Sequence, residues 1–365
     1  MTKTKETVLE ISLQALEHNY RFLKSKLNAK TKFLAVVKAF AYGSDSCKIA
    51  HKMASLGVDY FAVAYTQEGI DLRNAGITTP ILVLHPQAVN FTAIINNRLE
   101  PSLYSIKILE EFVTVLKEMH QKNYPVHLKF NTGLNRLGFT ENNITELLRK
   151  SKSLKIKGVF SHLAASDEVK EKEFTQQQIQ SFNTIKDKLE VGLDTSPIYH
   201  LLNTSGIVNY PEAQYNMVRS GIGLYGFGNS QEVDQQLKPI ATLKTIISQI
   251  HHVKKGESIG YNRAFIASKN IRTATLPIGH ADGIGRHYGK GKSCVTIHGK
   301  KAPIVGNVCM DMIMVDVTDI TCNEGDEVIF FGLHNSAEEF AHNAHTISYE
   351  LLTGISQRVK RTLLL

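Results

Sequence analysis

The sequence predicts a parallel (β/α)8 barrel of the TIM type followed by a mainly antiparallel β-domain, and three observations carry that expectation. Over the first two-thirds of the chain, eight short apolar runs alternate with amphipathic stretches of helical spacing. Strand and helix in strict alternation mean a parallel sheet, and eight repeats without a pause favour closure into a barrel. After Gly228-Asn-Ser-Gln-Glu232 the character changes: from about Leu243 the segments are short, rich in Val, Ile and Thr, and separated by turn signals, which suits antiparallel hairpins. The 365 residues then divide into a barrel over 8–230 and a β-domain over 231–365, with residues 1–7 a candidate addition to the second. Both sizes are ordinary for domains.

Taken in order, the barrel runs are residues 33–37, 60–64, 81–84, 101–104, 126–130, 157–161, 198–202 and 221–225. Between them, residues 45–56, 66–74, 105–122, 141–151 and 171–189 repeat apolar side chains at helical spacing. In the second part, Lys254-Lys-Gly256, Ser268-Lys-Asn270, His298-Gly-Lys300 and Asn323-Glu-Gly325 mark turns. The final stretch, residues 348–363, begins as a helical pattern and ends basic.

Composition excludes several classes. Hydrophobic content of 42% and charged content of 21% describe a globular protein with a sizeable core. The net charge of +8 is dispersed, and its small clusters at 152–157 and 290–301 lack interleaved aromatics. That argues against nucleic acid and for small anions on a solvated surface. The four cysteines, Cys47, Cys294, Cys309 and Cys322, form neither a C-x-x-C pair nor a metal-ligand spacing, so they read as reduced thiols with no metal site. No apolar run reaches membrane-spanning length, and a cytoplasmic protein is expected.

The chemistry-bearing residues gather at the ends of the expected barrel strands, where such folds build their active sites. Lys38 follows the first strand. Lys129 and Asn131-Thr-Gly-Leu-Asn-Arg136 follow the fifth, His162 the sixth and Asn203-Thr204-Ser205 the seventh, while Arg219 and Gly221-Ile-Gly-Leu-Tyr-Gly226 belong to the eighth. Alone, Lys38 is an ordinary strand-end lysine whose amine snorkels to water. Held at the mouth of a buried strand, the amine is poorly solvated and available for Schiff-base chemistry. The glycines match a dinucleotide fingerprint in spacing only, because no early βαβ unit surrounds them. They serve better as backbone donors to a phosphate, with the Thr204 hydroxyl beside them. In the β-domain, Tyr261 sits in a glycine-flanked turn and Met310 leads into a β run; spacing alone singles out neither.

Taken together, these segments resemble the alanine racemase family, the fold-type III pyridoxal phosphate enzymes. The stretch Ala35-Val-Val-Lys-Ala-Phe-Ala-Tyr-Gly43 is similar to the family's cofactor-lysine motif, and Phe130-Asn-Thr-Gly-Leu-Asn-Arg-Leu-Gly138 to its D-T-G-M-x-R-L-G motif. Ser161-His-Leu-Ala164, Leu202-Asn-Thr-Ser205, Val218 to Gly226, Pro277-Ile-Gly-His-Ala-Asp-Gly283, Gly306-Asn-Val-Cys-Met-Asp311 and Tyr349-Glu-Leu-Leu-Thr353 follow in the family's order. The likeness covers nearly the whole chain.

That resemblance implies a homodimer with composite sites and pyridoxal 5'-phosphate as cofactor. Lys38 would tether the cofactor and act as one catalytic base; Tyr261 of the partner subunit would be the other. Tyr42, Thr204, Gly221, Ile222 and Tyr349 would hold the phosphate, with Asn203 and His162 also on the cofactor side, and Arg219 would meet the pyridine nitrogen. Arg136 and the backbone of the partner's Met310 would orient the substrate carboxylate. Lys129 matches a lysine often carbamylated to brace Arg136, and Asp311 is a supporting residue. Racemisation takes the Cα proton from one face and returns it to the other, so two opposed bases are needed. An ordinary phenol ionises near pH 10, so Tyr261 would need cationic neighbours such as Arg219 and His162.

Departures stand at Phe40, Asn131, Leu134, His280 and Asn307, where the family usually has asparagine, an acid, methionine, and a tyrosine and an arginine of the access corridor. Asp167 and Arg286 of that corridor are retained. The expected function is racemisation of alanine to supply D-alanine for peptidoglycan. Three alternatives stand beside it: a racemase of broader specificity accepting serine or larger residues, a fold-type III amino-acid decarboxylase, and a non-catalytic cofactor-binding protein. Arg219 and Tyr261 argue against the decarboxylase, which is expected to place a carboxylate on the pyridine nitrogen. The complete β-domain argues against the last.

Overall fold

The computed structural model describes residues 6–333 and 335–364. The chain forms two compact units: one of Glu17–Ala41 and Ser46–Leu237, the other of the chain through Leu16, Tyr42–Asp45 and the chain from Lys238 onward.

The first unit is a closed barrel of eight parallel strands in sequence order: Lys32–Val36, Tyr60–Val63, Ile81–Val83, Glu100–Leu103, Tyr124–Lys129, Leu154–Phe160, Ile198–His200 and Met217–Ser220. The last strand closes on the first, with Lys32 opposite Met217 and Ala35 opposite Ser220. Leu34, Phe61, Leu82, Leu103 and Val159 are fully buried. Burial on both faces is why these runs read as continuous rather than alternating apolar segments. The helices sit where helical spacing puts them. Thr66–Asn74 follows the second strand, and Ile106–Glu118 is capped by Ser105, whose hydroxyl accepts the Ile108 N–H at 3.3 Å. Residues 141–151 divide into a 3-10 turn, Glu141–Asn143, and a helix, Ile144–Lys150.

The eighth strand differs from expectation. It is Met217–Ser220, all buried, and the glycine-rich stretch expected to be that strand is a 3-10 turn, Ile222–Tyr225, ended by Gly226 at φ 102°. Glycines bring no side chains to pack on a sheet, so the strand ends where they begin.

The second unit is a nine-stranded sheet in the order Gln249–Val253, Ile271–Leu276, Ile313–Asp316, Lys300–Val305, Cys294–Ile297, Glu327–Phe331, Ala241–Ile246, Val8–Ser12, Lys360–Leu364. Its neighbours are antiparallel except the last pair. A small hairpin joins Ser258–Ile259 to Phe265–Ile266. The turn signals at 254–256, 268–270 and 323–325 fall between strands, and that at 298–300 does so up to Lys300, which opens the next strand.

A single cut between residues 230 and 231 does not describe these units. Val8–Ser12, placed in the barrel by sequence, lies between Ala241–Ile246 and Lys360–Leu364 in the sheet. Thr7 Oγ1 also donates to the Pro277 carbonyl at 2.7 Å. Pairings across more than 200 residues leave no local signal. Residues 1–5 of the stretch 1–7 lie outside the described residues. The basic end of the chain is likewise a strand, Lys360–Leu364, after the helix Ser348–Gly354. Among the described residues no helix is long and apolar enough to cross a membrane.

Candidate active site

Lys38 follows the first barrel strand directly and is half-buried. Burial lowers its pKa, and the Arg136 guanidinium lowers it further. The next four residues, Ala39, Phe40, Ala41 and Tyr42, run left-handed with φ of 53°, 56°, 51° and 53°. That conformation costs roughly 1–2 kcal/mol per residue for a side chain with a Cβ, so the turn needs bracing. Glu68 provides it: Oε1 accepts the Ala39 N–H at 2.5 Å, and Oε2 accepts those of Ala64 and Tyr65 at 2.7 and 3.0 Å. Phe40 therefore sits where asparagine tolerates the backbone better.

Glu68→Gln is expected to destabilise the protein by about 1–3 kcal/mol, because one acceptor oxygen becomes an NH2 group facing a backbone N–H. Urea unfolding against the wild type measures it; an unchanged midpoint would remove the brace.

Arg219 lies in the eighth strand and is buried. Nη1 donates to His200 Nδ1 and the His200 carbonyl, both at 3.0 Å. Nη2 is within 2.7 Å of the Ser161 carbonyl, 3.0 Å of the Leu201 carbonyl and 3.1 Å of His162 Nδ1. Phe160 covers the guanidinium at 5.3 Å. No carboxylate touches it among the described residues, and its Nε–H has no protein acceptor among them. Burial and the Arg136 charge lower the Arg219 pKa to about 9. Burial and the surrounding cations Arg219, Arg136, Lys129 and Lys38 push His162 well below the ordinary imidazole range, so it is neutral and accepts from Arg219.

Lys129 ends the fifth strand, buried, with Nζ 5.9 Å over the Phe160 ring. Burial first, then Arg136, Arg219 and Lys38, lower its pKa to about 8, so near neutrality a minor fraction, about a tenth at pH 7, is free amine. The following loop is closed by Asn131 N–H to Phe139 carbonyl at 2.9 Å and Phe139 N–H to Lys129 carbonyl at 2.8 Å. Asn131 Oδ1 accepts the Gly133 and Asn135 N–H groups at 3.1 and 2.9 Å. An aspartate would accept the same two bonds, so this departure keeps the loop. Arg136 is exposed on it.

The seventh and eighth strand ends build a small backbone cradle. Asn203 caps the helix Thr204–Asn209, accepting from Gly206 N–H at 3.0 Å and from the Ser166 hydroxyl at 2.7 Å. Thr204 Oγ1 lies 3.0 Å from Ser220 Oγ and accepts the Gly223 N–H at 3.3 Å. A Cβ on Gly223 would come within 2.5 Å of Thr204 Cγ2, so only glycine allows this approach. The N–H groups of Gly221 and Ile222 have no protein acceptor among the described residues. These free donors and the Arg219 Nε–H suit an anionic group joined to a ring acceptor, which is what pyridoxal 5'-phosphate offers.

In the sheet unit, Tyr42 is buried with its ring 6.1 Å from that of Tyr349, and burial raises its pKa far above that of a free phenol. Tyr261 is 70% exposed in a turn where Asn262 and Arg263 have φ of 60° and 48°. Asn307, one of the corridor departures, donates to the Tyr261 carbonyl at 3.1 Å. Met310 is exposed, its carbonyl accepting the Ala281 N–H at 3.0 Å, while its own N–H has no acceptor among the described residues. A cavity of about 660 Å³ is lined by Ile259, Tyr261, Cys309, Met310 and Met314 among others. Asp311 pairs at 2.6 Å with Arg358, which also holds Asp282 at 2.7 Å.

Sequence reasoning missed Glu68, His200 and Arg358. The first stands in the first turn of a helix, a position where an acid is a readable signal. A histidine inside a strand and an arginine near the chain end carry none.

Comparison with known proteins completes the description. Residues 11–228 match the family model described as alanine racemase, N-terminal domain, and residues 240–363 the corresponding C-terminal domain. The chain is similar to alanine racemase 2 of Caldanaerobacter subterraneus subsp. tengcongensis, 35% identical over 369 residues that cover 98% of this chain and 94% of that protein. Its structure is similar to that of alanine racemase from Clostridium difficile 630, with TM-score 0.92 and 36% identity over 99% of this chain and 96% of that one. It is also similar to alanine racemase from Bartonella henselae with covalently bound pyridoxal phosphate, with TM-score 0.90 and 28% identity over 99% and 100% of the two chains.

Proposed function

The chain belongs to the alanine racemase family, and on that premise we propose that it interconverts L- and D-alanine with two opposed bases, Lys38 and Tyr261 of the partner subunit, to supply D-alanine for peptidoglycan. It is an isomerase of the racemase class. Pyridoxal 5'-phosphate, when bound, supplies the electron sink that acidifies the Cα–H of the amino acid. Gly221 N–H, Ile222 N–H and the Thr204 hydroxyl would hold its phosphate with Tyr42 and Tyr349, and Arg219 Nε–H would meet its pyridine nitrogen. Arg136 and the N–H of the partner's Met310 orient the substrate carboxylate. Lys38 and the phenol of the partner's Tyr261 each take or return the Cα proton on its own face. The free-base fraction of Lys129 takes up carbon dioxide as a carbamate, with loss of one proton, and then braces Arg136.

The observation that carries this reading is the set of neutral acceptors around Arg219, three carbonyls and two imidazoles. Arginine gives up no proton, so a ring nitrogen facing it stays unprotonated. A weaker sink favours proton exchange over decarboxylation. Exposed Tyr261, Met310, Met312 and Ile266 support burial against a second subunit. Broader specificity is favoured by Asn307, whose amide is engaged with the Tyr261 backbone where the family presents an arginine to the corridor.

Circular dichroism of alanine, serine and lysine solutions, with and without added cofactor, tests both readings. Alanine should lose its signal fastest and only with cofactor; serine or lysine racemised as fast would establish the broader reading. Carbon dioxide evolution without racemisation would overturn both.

A further inference from the structure

We propose that Glu100, His127 and His200 form a buried, one-directional hydrogen-bond chain that holds Arg219 in place, and that all three are positioning residues for the reaction. The inference rests on the racemase reading only for what Arg219 does.

The three side chains come from the fourth, fifth and seventh barrel strands, and Arg219 from the eighth. Glu100 Oε2 is 2.8 Å from His127 Nε2, His127 Nδ1 is 3.2 Å from His200 Nε2, and His200 Nδ1 is 3.0 Å from Arg219 Nη1. Both imidazoles are fully buried. The charged ends dictate every hydrogen between them. An ionised carboxylate only accepts and a guanidinium only donates. Arg219 therefore requires a bare Nδ1 on His200, whose hydrogen must sit on Nε2. That hydrogen requires a bare Nδ1 on His127, whose own hydrogen sits on Nε2 and reaches Glu100. A doubly protonated His127 would reverse the chain and set an N–H of His200 against an N–H of Arg219, which excludes that state while Arg219 keeps its charge.

The barrel is built around this chain. A Cβ on Gly158 would lie 2.2 Å from His127 Nδ1, so only glycine leaves room for the ring. The strand ladder shifts register between Val126 and His127. Phe160 stacks on His200 at 4.8 Å and 11°, and the Tyr60 ring meets His127 at 5.8 Å. Four polar groups inside a barrel are costly unless every bond is made, and leucine would pack there without that demand. Their arrangement has a use. The guanidinium is buried with no carboxylate in contact, and the chain connects it to one while leaving its inner partner a neutral acceptor. Together with the carbonyls on Nη1 and Nη2, this leaves Nε–H as the outward donor.

Nitrogen-15 spectra of histidine-labelled protein test the chain directly, in cofactor-free and loaded forms. His127 and His200 should both show a protonated Nε2 and a bare Nδ1, and the opposite tautomer on either ring would overturn the proposal. This readout does not depend on racemisation, so it survives failure of the functional reading. Glu100→Leu should free the His127 tautomer, shift the His200 signals and lower kcat for alanine by roughly 10–100-fold, the scale of a small misplacement in an active site, with KM changed much less. Glu100→Gln, which keeps an acceptor oxygen, should recover most of that loss. A folded, loaded Glu100→Leu protein with wild-type kcat would show that the chain is only structural. If the leucine variant fails to fold, Gly158→Ala displaces the His127 ring from the other side and is read the same way.

Discussion

A Lys38→Ala chain should lose the visible absorption of its bound cofactor and all measurable racemisation, a fall of at least ~10³-fold if the lysine has both proposed roles, tether and base. The lysine is set up for this by its place in the chain. It follows an apolar strand, its pKa is lowered by burial and by Arg136, and the left-handed turn behind it is pinned by Glu68. The measurement is the absorption spectrum after removal of free cofactor, followed by the intact mass of borohydride-reduced protein. The wild type should gain the mass of one cofactor and the variant none. An unchanged spectrum in the variant would take the covalent role away from Lys38.

Tyr261→Phe should keep the absorption band and lose racemisation by about 10²–10⁴-fold, the range expected when one general base is removed. The cofactor stays because none of its proposed contacts involves the phenol. If each site uses Lys38 of one chain and Tyr261 of the partner subunit, the two inactive variants should rescue each other. Random pairing of Lys38→Ala with Tyr261→Phe chains makes about half heterodimers, each with one intact site of two, so about a quarter of wild-type activity should return. No recovery once subunit exchange is demonstrated would mean that each site is complete within one chain, and full activity of Tyr261→Phe in both directions would remove the second base.

Much of the fold was legible because the barrel strands are buried on both faces and their helices on one. Those two patterns have different periods, so 60–63 and 66–74 could be read as strand and helix almost to the residue. The eighth strand was displaced by four residues because its apolar character continues into the glycine turn, and both segments are buried, so only the backbone conformation separates the two. Val8–Ser12 and Lys360–Leu364 were not legible at all as sheet partners. Their pairing joins the two ends of the chain, and neither end carries a sign of the other.

The site divides along the same line. Lys38, Arg136, His162, Thr204 and Arg219 stand out in the sequence as candidates because barrel chemistry collects at strand ends, and because their flanking residues form motifs that resemble a known family. Glu68 reaches back to the lysine's turn from another helix, and Glu100, His127 and His200 sit at or within strands whose inward direction no local pattern marks. Sequence by itself determined the strand–helix rhythm, the barrel, the family and the residue types at the strand ends, all of which are written in neighbours along the chain. Only the tertiary structure decided which donors around Arg219 are spent and which one is left, because a hydrogen bond is set by distance and direction between atoms that the chain keeps scores of residues apart.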